Sequence, residues 1–213
     1  MDHKGFFITF EGPEGCGKST VIKWLIERLK TDGYKVAFTR EPGGTENAIS
    51  EQIRQVLLNP DNNICPETEA LLFAASRAQH VNDFIKPQLA EGKIVICDRF
   101  LHSSLAYQGI GRDLGLDQIR LINQLAIKDC YPDLVILLDI DPEIGLKRKQ
   151  GNNLFLDRLD KENLAFHQKV REGYLTLAQM EPEIFIVIDA SKTLELVEKE
   201  VYQKVKEKIK YGD

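Results

Sequence analysis

Residues 6–20 read FFITFEGPEGCGKST, and this stretch decides the fold. It opens with an apolar run, passes through a glycine-rich turn and continues in an amphipathic pattern that predicts a helix over residues 18–30. Residues 12–19 fit the pattern G-x-x-x-x-G-K-S, placed as a phosphate-binding loop requires, between a strand and a helix. A glycine-rich turn that only joins a strand to a helix is the alternative, which this match of spacing and setting disfavours.

The residue types of this loop suit a bound triphosphate. Glycines lack a Cβ atom, so the backbone N–H groups can wrap the phosphates, and the helix start adds a partial positive charge. Lys18 is expected to reach the β- and γ-phosphates, and Ser19 to ligate Mg²⁺. The motif alone does not decide which nucleotide binds, because GTPases, ATPases and small-molecule kinases all use it. The residues predicted to bind the nucleotide, ATP if the chain is a kinase, are Gly12, Pro13, Glu14, Gly15, Cys16, Gly17, Lys18, Ser19 and Thr20.

Short apolar runs recur along the chain and alternate with stretches of helical period. Their near-continuous apolar character predicts strands buried on both faces of a parallel sheet. We therefore expect one domain over residues 1–213, an α/β protein of the P-loop NTPase type with a five-stranded parallel sheet in a three-layer αβα sandwich. The predicted strands are residues 6–10, 35–39, 94–97, 134–139 and 184–189. The predicted helices are residues 18–30, 46–58, 67–89, 116–126, 142–149, 161–178 and 193–209, with Pro87 kinking or ending the third.

Composition excludes several classes of protein. The net charge of -5 disfavours binding to nucleic acid polymers. We find no run of about 18 uncharged apolar residues and no signal-type opening, so we expect a cytosolic protein without a membrane partner. The four cysteines form no C-x-x-C pair, which argues against a structural zinc site or a disulfide framework.

Asp98 and Arg99 follow the third apolar run, at the carboxyl edge where open α/β sheets bind ligands. Asp98 is expected to hold Mg²⁺, the cofactor that accompanies ATP, through water. Arg99 can bind a phosphate in bidentate fashion and offset charge during transfer. An ion pair that merely closes a strand is the alternative.

Three further segments carry a resemblance. Residues 39–45 read TREPGGT, residues 72–77 read LFAASR, and residues 103–109 read SSLAYQG. Together with the phosphate loop they resemble the thymidylate kinase (dTMP kinase) family, from residue 6 to about residue 190. The resemblance implies transfer of the γ-phosphoryl group of ATP to dTMP, giving dTDP and ADP in dTTP biosynthesis, by an enzyme that forms a homodimer.

The same resemblance implies the acceptor site. Phe73 would stack on the pyrimidine, Arg77 would meet a base carbonyl, and Ser104 would bind the base edge. Arg99 would bind the acceptor phosphate, and Tyr107 would lie beside C2′, which favours deoxyribose. The implied dTMP-binding residues are Glu14, Glu41, Arg54, Phe73, Arg77, Arg99, Ser104, Tyr107 and Gln108. A core aromatic is the alternative for Phe73, and a solvated helix charge is the alternative for Arg54.

Phosphoryl transfer also needs positive charge against the moving group. The variable positions 13–16 of the phosphate loop hold no cation, so the resemblance implies a cation in a short lid around residues 147–158, where residues 151–153 interrupt a helical pattern. The candidates are Lys147, Arg148, Lys149 and Arg158, with a solvated cationic face as the alternative. The predicted catalytic residues are Lys18, Arg99, Arg148 and Arg158. Residues 189–192 are implied to lie near the adenine.

Three other functions stay open on the sequence. A kinase for UMP, CMP or dUMP would share the phosphate loop and the Asp98–Arg99 pair. A GTPase-like switch is disfavoured, because no N-K-x-D motif and no D-x-x-G at a strand end is found. A non-catalytic protein on this scaffold would leave the arginines idle. The base-reading residues distinguish the kinases from one another.

Overall fold

A five-stranded parallel sheet in the order β2-β3-β1-β4-β5 forms the centre of the computed structural model, which describes residues 5–44, 48–151 and 157–211. The strands are β1 Phe6–Glu11, β2 Val36–Arg40, β3 Ile94–Asp98, β4 Leu134–Asp139 and β5 Phe185–Asp189. All five predicted strands are confirmed, each to within one residue at its ends.

The helices follow the predicted pattern closely. They are α1 Lys18–Thr31, α2 Ala48–Leu58, α3 Pro66–His80, α4 Lys86–Ala90, α5 Leu101–Ser104, α6 Leu116–Ile127, α7 Pro142–Gly151, α8 Leu164–Met180 and α9 Leu194–Tyr211. The start predicted for the second helix, at residues 46–47, lies outside the described residues. So do residues 152–156 of the predicted lid, whereas the helix before it continues to Gly151.

Two apolar cores lie on the two faces of the sheet, because successive strand side chains point to opposite sides. On β1, Phe7 packs in one core, whereas Ile8 and Phe10 pack in the other. The first core includes residues of α3 and α8, and the second includes residues of α1 and α9. The three-layer arrangement of a P-loop NTPase-type fold is therefore confirmed.

The helix predicted over residues 67–89 differs at its end. After α3 the chain passes through a π-helical turn, Val81–Ile85, and continues as α4 to Ala90. Pro87 therefore does not end the helix. The N–H of Lys86 bonds to the carbonyl of Val81, five residues back, and this wider turn accommodates a proline that has no N–H of its own.

The sequence failed to predict a helical segment directly after β3. It consists of α5 and a π-helical continuation, Leu105–Gly111. Its serines and glycines have low helix propensity, but burial against α8 outweighs that cost. A Cβ atom on Gly111 would come within 2.9 Å of the Phe166 ring, so this glycine permits the close approach of α8.

Within the described residues, none of the helices combines the length and the apolar character needed to cross a membrane.

Candidate active site

A cavity of about 540 Å³ lies at the carboxyl ends of β2 and β3, above the loop between β1 and α1. Most of the predicted site residues line it. They are Glu14, Gly15, Cys16, Gly17, Lys18, Ser19, Thr20, Glu41, Arg54, Phe73, Arg77, Asp98, Arg99, Ser104, Tyr107, Gln108 and Arg148. Gly12, Pro13 and Arg158 are outside this lining.

The glycine loop, residues 12–17, has the backbone that its sequence predicts. Gly15 and Gly17 adopt positive φ angles of 69° and 90°. A Cβ atom on Gly15 would come 1.9 Å from the carbonyl oxygen of Gly145, so only glycine lets α7 pack against this turn. Lys18 begins α1, and its ammonium group donates to the carbonyls of Gly12 and Pro13 over 3.1 and 3.2 Å. The loop therefore places a buried cation beside a helix start, an arrangement suited to phosphate.

The two predicted magnesium ligands come together at the rim of the cavity. The Ser19 hydroxyl donates to Asp98 Oδ2 over 3.2 Å. Mg²⁺ prefers oxygen ligands and usually keeps several of its waters. The oxygens of this pair fit a magnesium ion that Ser19 would ligate directly and that Asp98 would reach through one of those waters.

Arg99 has an unusual backbone and a side chain that is hydrogen-bonded through both terminal nitrogens. Its φ angle of 68° lies in the left-handed region, which non-glycine residues rarely adopt. Its guanidinium donates to Tyr174 over 3.0 Å and to Ser103 over 3.2 Å, and it pairs with Glu14. Burial alone would lower the pKa of Arg99, but neighbouring oxygens, those of Tyr107 and Glu14 first, raise it well above its usual range. The charge of Arg99 is therefore permanent.

Glu14 connects three parts of the site. Besides Arg99, its carboxylate accepts from the Tyr107 hydroxyl over 3.0 Å and from Lys149 of α7 over 3.1 Å. Burial opposes its ionisation, but the charges of Arg99, Lys18 and Lys149 outweigh burial and hold the pKa of Glu14 well below its usual range. The carboxylate of the loop thus organises the cations around it.

A buried network holds Arg77. Its Nε donates to Glu41 over 2.8 Å, its terminal nitrogens donate to Asn123 and to the carbonyl of Phe100, and the side chain is 1% exposed. The second carboxylate oxygen of Glu41 is hydrogen-bonded to His80 at 2.9 Å. Both oxygens of Glu41 are therefore bonded within the protein, and its position indicates that it orients Arg77.

The side chains implied to read the base surround the same space. Phe73 is half-buried at the cavity wall. The buried hydroxyl oxygen of Ser104 has no hydrogen-bond partner among the described residues. Gln108 donates to the buried Glu69 over 2.7 Å. An orphaned hydroxyl in a cavity wall suits a polar ligand edge, because buried polar groups are normally hydrogen-bonded.

Arg54 also belongs to the cavity. Its guanidinium donates to the carbonyl of Pro42 over 2.7 Å, at the turn that follows β2. The structure therefore disagrees with the alternative of a solvated helix charge. Burial lowers the pKa of Arg54, and the neighbouring charge of Arg40 adds to this effect.

The lid cations occupy different places. Arg148 lines the cavity and donates to the carbonyl of Ala190 over 3.1 Å, in the loop implied to lie near the adenine. Lys149 lines the cavity beside Glu14. Arg158 donates instead to the carbonyl of Leu57 over 2.9 Å and to Glu69 over 2.6 Å. The structure does not bring Arg158 to the cavity, because the buried carboxylate of Glu69 holds its charge.

Sequence reasoning missed the polar groups behind the cavity wall. Glu11 at the end of β1, Tyr174 on α8 and Glu69 on α3 are each fully buried. Only Glu11 left a signal in the sequence, as an acid that interrupts an apolar strand immediately before the glycine loop.

Comparison with known proteins gives a consistent result. The thymidylate kinase family model matches residues 10–201. The chain is 52% identical to the thymidylate kinase of Bacillus velezensis over 208 residues, which cover 97% of each chain. It is 49% identical to that of Halothermothrix orenii over 205 residues, covering 95% of this chain and 97% of the relative. A similar match, 50% identical, covers 96% of this chain and 98% of the thymidylate kinase of Staphylococcus epidermidis.

Proposed function

The chain belongs to the thymidylate kinase family, and we infer that it transfers the γ-phosphoryl group of ATP to dTMP by direct in-line attack within the cavity described above. It is an ATP-dependent kinase whose products are dTDP and ADP, in dTTP biosynthesis.

One observation carries the mechanism: a single cavity is lined both by the glycine loop with Lys18 and by Arg99 with the base-reading residues. Its volume of about 540 Å³ falls within the range of small-molecule sites. The loop supplies the donor phosphates with N–H groups and an ammonium, and Arg99 supplies the acceptor phosphate with a guanidinium. Two phosphate-bearing ligands can therefore meet end to end.

The acceptor requires no general base. The second pKa of a phosphate monoester is about 6, so dTMP is already a nucleophile near neutral pH. Positioning and charge stabilisation then account for most of the catalysis. The NH2 group of Arg99 donates a hydrogen bond to Glu14 in this structure. The acceptor phosphate would compete with Glu14 for this donor.

Base recognition rests on four side chains. Phe73 would cover a face of the thymine, and Arg77, Ser104 and Gln108 would meet its polar edge. Tyr107 is 4% exposed and lies beneath the Arg99 guanidinium, 5.2 Å from the ring centroid. Its placement beside the sugar would crowd a 2′-hydroxyl and favour dTMP over ribonucleotides.

Mg²⁺ would be ligated directly by Ser19 and held through a water molecule by Asp98. When bound, it would neutralise charge on the donor phosphates. The metal and Lys18 would therefore both offset the negative charge of the donor phosphates.

The lid cations that we assign to transfer are those at the end of α7. Arg148 and Lys149 line the cavity on the side of the glycine loop, whereas Arg158 would have to leave Glu69 before it could act. Arg148 is therefore the first candidate for the charge against the equatorial oxygens. The lid around residues 147–158 would exclude water from the transferring group.

We also propose that the enzyme is a cytosolic homodimer. Helices α3 and α6 pack together, and their outer surface exposes Leu71, Leu121 and Leu125 by 56, 71 and 80%. Large apolar side chains grouped on one surface are typical of a protein interface. This surface is the one we expect a second copy to cover.

Arg99→Ala tests the mechanism. We expect turnover with dTMP to fall by a factor on the order of 10² or more, as when one donor to a developing charge is removed, with ATP binding nearly unchanged. The matched control is Arg28→Ala, which removes an exposed arginine from α1. Full activity of the Arg99 variant would discard the proposed role.

A further inference from the structure

Behind Arg99 lies a set of buried polar groups, only some of which line the cavity. Glu11 and Tyr174 are 0% exposed and outside the cavity lining, whereas Ser103 is part of it. We propose that Glu11, Ser103 and Tyr174 form a positioning network that fixes the Arg99 guanidinium for the acceptor phosphate. This inference rests on the proposed role of Arg99.

The hydrogen bonds of the network run in one direction. Arg99 NH1 donates to the oxygens of Tyr174 and Ser103, over 3.0 and 3.2 Å. Both hydroxyls in turn reach Glu11 Oε2, Ser103 at 2.6 Å and Tyr174 at 3.1 Å. The two hydroxyls also lie 2.8 Å from each other, where either oxygen could donate. Because Arg99 has no acceptor, each hydroxyl offers it lone pairs and directs its proton to Glu11 or to the other hydroxyl. The carboxylate thus orients the hydroxyls as acceptors.

The protonation of Tyr174 agrees with this direction. Burial raises the pKa of Tyr174, and the negative charge of Glu11 raises it further, well above its usual range. The phenol therefore keeps its proton and remains a donor to Glu11. Because a phenol can donate and accept at once, it can connect a carboxylate to a guanidinium.

Glu11 also holds the backbone next to Arg99. Its Oε1 accepts from the N–H of Phe100 over 2.9 Å, directly after the residue with the positive φ angle. One carboxylate therefore supports both the strained backbone and the side chain of Arg99. A strained conformation persists only where its surroundings stabilise it.

The two terminal nitrogens of Arg99 have separate tasks. NH1 is bound by the hydroxyls of the network, whereas NH2 faces Glu14 at the cavity. An incoming phosphate can compete for NH2 while NH1 stays in place. Loss of the network should therefore weaken the use of dTMP and spare the use of ATP, which the glycine loop binds.

A double-mutant cycle on Tyr174→Phe and Arg99→Lys tests the network. Tyr174→Phe keeps the ring and removes only the hydroxyl. We expect it to lower kcat/KM for dTMP about fivefold to tenfold, as for loss of one hydrogen bond to a charged group, and to leave the KM for ATP within about twofold. In the Arg99→Lys background, Tyr174→Phe should lower kcat/KM for dTMP little further, because the guanidinium that the Tyr174 hydroxyl positions is already absent. Tyr202→Phe, whose hydroxyl bonds Asp32 at the surface, is the control.

Other outcomes discriminate. The proposal would be overturned if the two single-variant losses in kcat/KM for dTMP multiplied in the double variant. It would also be overturned if the KM for ATP rose as much as the KM for dTMP. Should Tyr174→Phe fail to fold, Ser103→Ala must show the same separation of dTMP from ATP effects, and its absence there overturns the proposal too. A fully active Arg99→Ala variant would instead refute the role of Arg99 itself, so the two failures are distinguishable.

Discussion

The hydroxyl of Ser19 donates to Asp98 Oδ2 over 3.2 Å, although the two residues are 79 positions apart in the chain. The first lies in the first turn of α1, after the glycine loop, and the second ends β3. Parallel strands meet at one edge of the sheet, which is why a motif residue and a strand-end carboxylate become neighbours. The pair is where we expect the metal.

Asp98→Asn should raise the magnesium requirement. The amide keeps the shape of the side chain and removes its negative charge, so we expect half-maximal activity to need about tenfold more Mg²⁺, equivalent to about 1.4 kcal/mol. Activity measured against Mg²⁺ concentration at saturating ATP checks this. Asp32→Asn, on the turn after α1, is the control, and an unchanged requirement in the Asp98 variant would remove Asp98 from the site.

Ser104→Ala should separate binding from stability. The Ser104 oxygen has no partner among the described residues, so its removal should leave the free energy of unfolding unchanged or up to about 1 kcal/mol higher. We expect kcat/KM for dTMP to fall about fivefold. In Ser103→Ala, by contrast, loss of the bond to Glu11 should cost about 1–3 kcal/mol of stability. A destabilised Ser104→Ala variant with normal use of dTMP would contradict the assignment.

Glu14 should make stability depend on pH in the acidic range. Its folded-state pKa is depressed, so the unfolded chain takes up a proton near its ordinary value of 4.5 while the folded protein does not. The stabilisation is therefore complete above about pH 5.5 and is lost as the pH falls through the folded-state value.

Urea unfolding of the wild type and of Glu14→Gln between about pH 6 and pH 3 measures this contribution. We expect the wild-type advantage to shrink as the pH falls, while the other carboxylates affect both proteins alike. Parallel pH curves for the two proteins would show that Glu14 is not held ionised by its cations.

Arg148 and Arg158 should respond differently to removal. Arg148 is exposed at the cavity, so Arg148→Ala should lower kcat by a factor on the order of 10²–10³ with little change in stability. Arg158→Ala removes one partner of the buried Glu69, which keeps Arg112 and Gln108, and should cost about 1–3 kcal/mol of unfolding free energy. Single-turnover rates and thermal unfolding distinguish the two variants. The reverse pattern would show that Arg158, and not Arg148, supplies the positive charge to the transferring phosphoryl group.

The local parts of this structure were predictable from the sequence. The glycine loop is a contiguous motif, and the apolar runs that flank it report burial on both faces of the sheet, so the strands are correct to within one residue. The helix after β3 was missed because its serines and glycines signal a turn, whereas packing against α8 decides its conformation.

Partnerships between distant residues were not predictable. Tyr174 bonds Glu11 across 163 positions of the chain, and Arg158 bonds Glu69 across 89. No periodicity or spacing reports such a contact, because it depends on how α8 and α3 lie over the sheet. The charge and position of Arg158 therefore predict it at the cavity, and only the structure shows the buried carboxylate that holds it.

The most direct test of the whole account is ADP release measured with a panel of acceptors, dTMP, dUMP, UMP and CMP, at fixed Mg²⁺ and ATP. The cavity with Phe73, Arg77, Ser104 and Tyr107 predicts turnover with dTMP far above that with UMP or CMP. Equal or faster turnover with UMP or CMP, or ADP release that does not depend on an acceptor, would contradict it.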